Sequence, residues 1–127
     1  MKRENISSGS KWAPKIGYSR LVKVDKLIFV SGTTGTDADG KITGDVYKQT
    51  RQAILNIEAA LKKAGATLQN VVRTRIYCTN VQEWEKTGKA HVEFFGSIRP
   101  ATAMVEVKGF VTPEMLVEVE ADAVLDS

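Results

Sequence analysis

Cysteine and histidine are nearly missing from this sequence of 127 residues, which contains one of each. One cysteine cannot form a disulfide within the chain, and one cysteine with one histidine cannot supply the four ligands of a structural zinc site. We therefore predict no metal site. Cys78 lies on the predicted core face of its strand, so we expect an inert buried thiol there.

Long apolar runs and blocks of like charge are also lacking. No segment approaches about 18 consecutive apolar residues, and the N-terminus lacks the run of about 7 to 15 apolar residues that a signal peptide needs. The 18 basic and 15 acidic residues are interspersed, with a net charge of +3, so no basic patch favours nucleic acid. We expect a cytoplasmic protein with neither a membrane nor a nucleic acid as its partner.

Nucleotide-binding motifs are absent as well. The segment 32–44 contains four glycines but matches neither GxxxxGK[ST] nor GxGxxG. Its few apolar residues and the turn dipeptide Asp39-Gly40 predict a surface loop instead. We therefore expect no cofactor.

What the chain does contain is typical of a single soluble domain over residues 1–127. Hydrophobic residues make up 43% of it and charged residues 26%, which is close to the average composition. A chain of this length can bury one hydrophobic core without disulfides or metal.

Local patterns predict a series of strands and helices. Two apolar runs with a turn at Asp25-Lys26 predict a hairpin, and apolar residues spaced by three and four predict a long helix that Gly65 closes. The predicted elements are a hairpin over 18–31, helices over 45–64 and 82–96, and strands over 70–80, from Pro100, and over 116–125. This order indicates an α+β fold with two helices packed on one face of a mixed sheet.

Alternation along the strands predicts that the second sheet face is of mixed polarity. In the strand over 70–80, the residues expected to face the core are Val72, Thr74, Ile76 and Cys78. The residues expected on the opposite face of the sheet are Arg73, Arg75, Tyr77, Met104, Glu106, Glu118 and Glu120. Apolar and charged groups together are typical of a subunit interface with charge pairs, so we predict an oligomer.

Several motifs follow one another along most of the chain. They are GYSR at 17–20, FVSGTTG at 29–35, QTRQAILNIEAALKKAGATLQNVVRTRIY at 49–77, EFF at 93–95, RPATAMVEV at 99–107 and VEVEADAV at 117–124. Together and in this order they resemble the RidA family, also called the YjgF or endoribonuclease L-PSP family. The resemblance implies a chorismate-mutase-like fold and a homotrimer with a barrel-like arrangement of sheets. It also implies three small-molecule clefts between subunits.

The resemblance further implies which residues line the cleft. Tyr18 stands at the family's cleft tyrosine, Ser31 and Gly32 stand in the cleft loop, and Glu118 stands at the glutamate that handles water. In the members that deaminate enamines and imines, an arginine of a PAR motif binds the substrate carboxylate in a bidentate pair. This chain has Thr102 in place of that arginine.

Other residues predicted near the cleft also differ from the family or could compensate for the missing arginine. Gly88 stands where the family has a cleft asparagine. Arg20 lies two residues from Tyr18 on the same strand face, so we predict that its guanidinium serves the cleft, the alternative being a solvated arginine at a strand edge. Met104 lies two residues from Thr102 and is expected to line the cleft with an adaptable apolar surface.

Structural roles compete with functional ones at other polar residues. Glu118 and Glu120 can pair with Arg73 and Arg75 across strands or across subunits. We favour this role for Glu120, and for Glu118 both roles stay open. His91 is the only histidine, and on a helix beside two phenylalanines it is more often packed than catalytic.

Three hypotheses for the function remain. The first is a homotrimer that binds a small metabolite and lacks the usual 2-imino acid deaminase activity. The second is an enamine or imine deaminase, or a related hydrolase, in which Glu118 activates water and Thr102 or Arg20 holds the substrate. The third is an L-PSP-type endoribonuclease or a protein-interaction module. One histidine and no aromatic-rich RNA motif give the ribonuclease little support.

Overall fold

The computed structural model describes residues 1–7 and 9–126. The strands are β1 (Arg3–Ile6), β2 (Leu21–Val24), β3 (Leu27–Thr34), β4 (Val71–Cys78), β5 (Ala101–Glu106) and β6 (Val117–Val124). The helices are α1 (Ala13–Ile16), α2 (Val46–Lys63) and α3 (Trp84–Phe95). The six strands form one sheet in the order β1-β2-β3-β6-β4-β5. Only the pairing of β4 with β5 is parallel among the described strand pairs, so the predicted mixed α+β fold is confirmed.

Two short elements at the N-terminus were not predicted. Strand β1 extends the sheet by pairing with β2, and the four residues of α1 follow it. Exposed residues dominate both elements, so neither has the apolar periodicity that reveals longer elements.

Helix α2 begins and ends where its sequence signals predict. The Asp45 side chain accepts a hydrogen bond from the Lys48 backbone N–H at 3.0 Å, which caps the first turn. Gly65, with φ +80°, follows the helix end, where glycine adopts the left-handed conformation without steric cost. The apolar face of α2 packs on the sheet, and Ala53, Ile54, Ile57 and Leu61 are fully buried.

The start of β4 departs from the predicted alternation. Val71 is 3% exposed and Val72 is 49% exposed, so the prediction that Val72 faces the core is wrong. The pairing of β4 with β6 shifts register between Val71 and Arg73. Such a β-bulge inserts one residue and reverses the alternation of the residues that precede it. After the bulge, Thr74, Ile76 and Cys78 are buried as predicted.

The faces of the edge strand β5 also differ from the prediction. Met104 pairs with Ile76, and Glu106 pairs with Cys78. Paired residues of neighbouring strands share a face, so both lie on the helix side of the sheet, not on the open side with Arg73. An edge strand is partly solvated on both faces, and its polarity pattern therefore cannot identify the core side.

Strand β6 is held in place by a buried amide of α2. Gln49, 3% exposed, donates from Nε2 to the carbonyl oxygens of Gly44 and Glu114 at 3.2 and 3.1 Å. Its Oε1 accepts from the Leu116 backbone N–H at 3.0 Å. A buried amide with all these partners fixes the loop before β6, and with it the position of Glu118.

Within residues 1–7 and 9–126, no helix has both the length and the apolar character that crossing a membrane requires.

Candidate functional site

A groove of about 1350 Å³ lies beside β3 and β6. Five of the predicted site residues line it, namely Tyr18, Arg20, Ser31, Gly32 and Glu118. The first two precede β2, the next two belong to β3, and the glutamate belongs to β6. The fold thus gathers residues from three separate parts of the sequence into one wall.

A bulge in β3 shapes this wall. The pairing of β3 with β6 shifts register between Val30 and Thr33, so Ser31 and Gly32 lie outside the regular ladder. Ser31 is fixed by its backbone N–H, which donates to the Arg20 carbonyl at 3.0 Å, and by its hydroxyl, which donates to the Ser19 carbonyl at 2.6 Å. Bulges commonly redirect chain segments at binding sites.

The guanidinium of Arg20 lies beside Gly32 and Tyr18 in this wall. Its Nη2 donates to the Gly32 carbonyl oxygen at 2.7 Å, and its carbon lies 5.8 Å from the centre of the Tyr18 ring. Burial lowers the pKa of Arg20, while Tyr18 and Glu118 act in the opposite direction. Nε is buried and has no hydrogen-bond partner within the described residues. The prediction that this guanidinium turns towards the cleft residues agrees with the geometry, whereas its role in binding stays a prediction.

The carboxylate of Glu118 lies against the same glycine. A Cβ placed on Gly32 would overlap Oε1 of Glu118, so only glycine leaves room for this approach. Burial raises the pKa of Glu118, Arg20 lowers it and Glu120 raises it further. A carboxyl group with a raised pKa beside a groove has the properties of a general acid or base.

Glu120 has the structural role that the sequence favoured. It accepts a hydrogen bond from the Tyr77 hydroxyl at 2.7 Å and lies 3.8 Å from Nη1 of Arg75. Asp122, which sequence analysis did not single out, lies 3.3 Å from the same arginine and 4.0 Å from Nε of Arg73. These pairs hold the middle of the open sheet face together.

Thr102 and Met104 do not line the groove. Both belong to β5, and the sheet order places β6 and β4 between β5 and β3. Three strand spacings correspond to about 14 Å. Within one chain these two predicted site residues are therefore separated from the other five.

The hydroxyl of Thr102 is already engaged inside the chain. It lies 2.8 Å from the hydroxyl of Thr74 and donates to the Pro100 carbonyl oxygen at 3.1 Å. A hydroxyl has one proton, so Thr102 accepts from Thr74. Thr74 in turn lies 2.9 Å from Nε2 of His91 and must accept the proton of that nitrogen.

His91 is a packed residue, as the sequence favoured. Its ring lies 4.7 Å from that of Phe95, and burial lowers its pKa. Cys78 is also buried as predicted, and burial raises the pKa of its thiol.

Sequence analysis missed most of the charged residues around the groove. They are Lys11, Asp37, Lys41, Lys63 and Glu114. Most of them come from loops and from the N-terminal segment, where no periodic pattern indicates which side chains converge.

Comparisons with known proteins agree with this fold. Residues 9–125 match the family described as Endoribonuclease L-PSP. A RutC family protein of Pyrococcus abyssi is 40% identical over 115 residues, covering 87% of this chain and 90% of that one. The 2-iminobutanoate/2-iminopropanoate deaminase of Capra hircus is 34% identical over 122 residues, covering 94% and 88%. A crystal structure of a member of the YjgF/YER057c/UK114 family from Mycobacterium tuberculosis has a TM-score of 0.90 and 48% identity, covering 98% and 100%.

Proposed function

Because the chain belongs to the endoribonuclease L-PSP family, also called the YjgF or RidA family, we propose that it is a cytoplasmic homotrimer that binds a small metabolite. The groove wall formed by Tyr18, Arg20, Ser31, Gly32 and Glu118 is one half of each binding cleft. Thr102 and Met104 on the β5 edge of a neighbouring copy form the other half. The separation of these two groups within one chain supports a cleft between copies.

The open face of the sheet supports the assembly. Leu27, Phe29 and Val105 are 48, 47 and 47% exposed on this face, and the pairs of Arg75 with Glu120 and Asp122 lie between them. Exposed apolar groups around satisfied charge pairs are typical of a surface that another subunit covers.

The engaged hydroxyl of Thr102 is the observation from which we infer that the usual 2-imino acid deaminase activity is lost. A charge-assisted hydrogen bond contributes about 1.5 to 3 kcal/mol, which corresponds to roughly 10- to 150-fold in affinity. Thr102 offers no charge, and its proton points to Pro100. A small carboxylate therefore loses the anchor that the family's arginine provides.

A second candidate is an enamine or imine deaminase. The carboxylate of Glu118 makes no hydrogen bond within residues 1–7 and 9–126, and burial raises its pKa. It is thus available to activate a water molecule, and Arg20 is available to hold a substrate oxygen. Curated relatives at 31 to 34% identity are named 2-iminobutanoate/2-iminopropanoate deaminases, which favours this candidate over the ribonuclease.

A hydrolysis assay separates the two candidates. Threonine dehydratase generates 2-iminobutanoate in situ, and its hydrolysis is followed with the native protein and with the variants Glu118→Gln and Thr102→Arg. We expect no acceleration by the native protein. Acceleration that Glu118→Gln abolishes would instead establish the deaminase. Light scattering should give the mass of three chains, and a monomer would contradict the proposed cleft.

A further inference from the structure

The groove presents a hydrogen-bond donor and an acceptor side by side. Nη2 of Arg20 is used on the Gly32 carbonyl. Nη1 makes no hydrogen bond within the described part of the chain and is not among the buried unpartnered atoms there, so it is accessible to solvent on a residue that lines the groove. The Glu118 carboxylate approaches Gly32 from β6. Gly32 thus lies between Arg20, which has a free N–H donor, and Glu118, which has a free carboxylate acceptor, within the described residues.

Charges around the groove balance. Among the described residues, the basic groups lining it are Lys11, Arg20, Lys41 and Lys63, and the acidic groups are Asp37, Glu114, Glu118 and Glu120. Four positive and four negative groups leave no excess of either sign. Such a groove does not concentrate an anion as a uniformly basic cleft does.

The immediate surroundings of Arg20 disfavour a carboxylate still more. Any anion bound to Nη1 also meets the negative charge of Glu118, which interacts electrostatically with Arg20. Like charges close together in a partly buried site repel strongly. A ligand ammonium group bound near Glu118 would likewise be repelled by the positive charge of Arg20.

We propose that this site, as the binding cleft of the proposed function, selects small uncharged ligands of the carboxamide type. The ligand carbonyl oxygen accepts from Nη1 of Arg20, and the ligand N–H donates to the Glu118 carboxylate. Both groups of the protein are then satisfied without placing a third charge between them. The inference rests on the proposed function and narrows its ligand class.

Three nearly isosteric probes test this selection. Pyruvamide is neutral, pyruvate is an anion and alanine is a zwitterion. Their affinities for the full-length assembled protein are measured by ligand-observed NMR titration up to about 50 mM. We expect pyruvamide to bind at least about tenfold more tightly than either of the others.

Variants test whether Arg20 and Glu118 cause the preference for pyruvamide. Glu118→Gln removes the negative charge, so the preference for pyruvamide over pyruvate should fall by about tenfold. Arg20→Gln should weaken the binding of pyruvamide. Glu85→Gln removes one charge from an exposed position on α3 and should leave the preference unchanged.

The outcomes are distinguishable. If pyruvate or alanine binds as tightly as pyruvamide and Arg20→Gln weakens it, the cleft binds metabolites but the inferred ligand class is wrong. If Glu118→Gln leaves the preference unchanged, the role of the pair is wrong. If no probe binds, both the ligand class and the proposed cleft are contradicted.

Discussion

The hydroxyls of Thr102 and Thr74 lie 2.8 Å apart, and this contact joins an exposed edge residue to a fully buried one. Through Thr74 the contact continues to Nε2 of His91. Thr102 is thus part of a short hydrogen-bonded chain between β5, β4 and α3. Thr102 therefore makes a structural contact within its own chain.

Replacing Thr74 with valine should be more damaging than the same change at Thr102. Thr74→Val removes a fully buried hydroxyl and leaves Nε2 of His91 without this hydrogen-bond partner, which costs about 1 to 3 kcal/mol. Thr102→Val changes an exposed position, where water can accept from Thr74 instead, and should cost about 0.5 kcal/mol or less. Urea denaturation of both variants measures the difference. Equal losses in the two variants would contradict this ranking.

Acidification should destabilise the protein through His91. Burial holds its folded pKa below the reference value of 6.5, so the unfolded chain takes up the proton first as the pH falls. Stability present above pH 6.5 is therefore lost as the pH falls through the lowered folded pKa. Melting temperatures between about pH 7.5 and pH 5 should fall less steeply in His91→Gln than in the native protein. An equal fall in melting temperature in both proteins would contradict the assignment of this pH dependence to His91.

Glu118→Gln should raise stability at neutral pH. The folded pKa of Glu118 lies above its reference value of 4.5, so ionised Glu118 destabilises the folded state once the pH exceeds that folded pKa. The gain in melting temperature should be present at pH 7 and disappear near pH 4. Glu120→Gln is the matched control, because it removes the negative charge beside Arg75, while its amide oxygen can still accept from Tyr77, and it should not stabilise. A lower melting temperature for Glu118→Gln at pH 7 would contradict this prediction.

Gly32→Ala should impair ligand binding more than stability. The new Cβ would displace the Glu118 carboxylate, which lies at the end of a flexible side chain and can move. We expect about tenfold weaker pyruvamide binding and a change in stability of roughly 0.5 kcal/mol or less. Gly109→Ala is the control, since a Cβ there meets nothing within 4 Å. Unchanged binding in Gly32→Ala would exclude close contact between Glu118 and the ligand.

The helices and the main core strands could be predicted because their signals are local. The cap at Asp45, the apolar spacing along α2 and the glycine at position 65 each act within a few residues, and buried β6 alternates regularly from Val117 to Ala123. The buried faces of edge strand β5 and of the bulged start of β4 could not be predicted in this way. Solvent reaches both faces of an edge, and a bulge reverses alternation without a sequence signal.

The sequence by itself determined the α+β class, the core faces of α2 and β6, and the family, because periodicity and ordered motifs are properties of the chain. It also identified Tyr18, Ser31, Gly32 and Glu118 of the groove wall by resemblance, and Arg20 by its spacing from Tyr18. Only the tertiary structure decided that Arg20 and Glu118 meet at Gly32, and that Thr102 is bound to Thr74 rather than to the groove. Strand register and bulges set these contacts between distant parts of the chain, and both depend on how the whole sheet pairs.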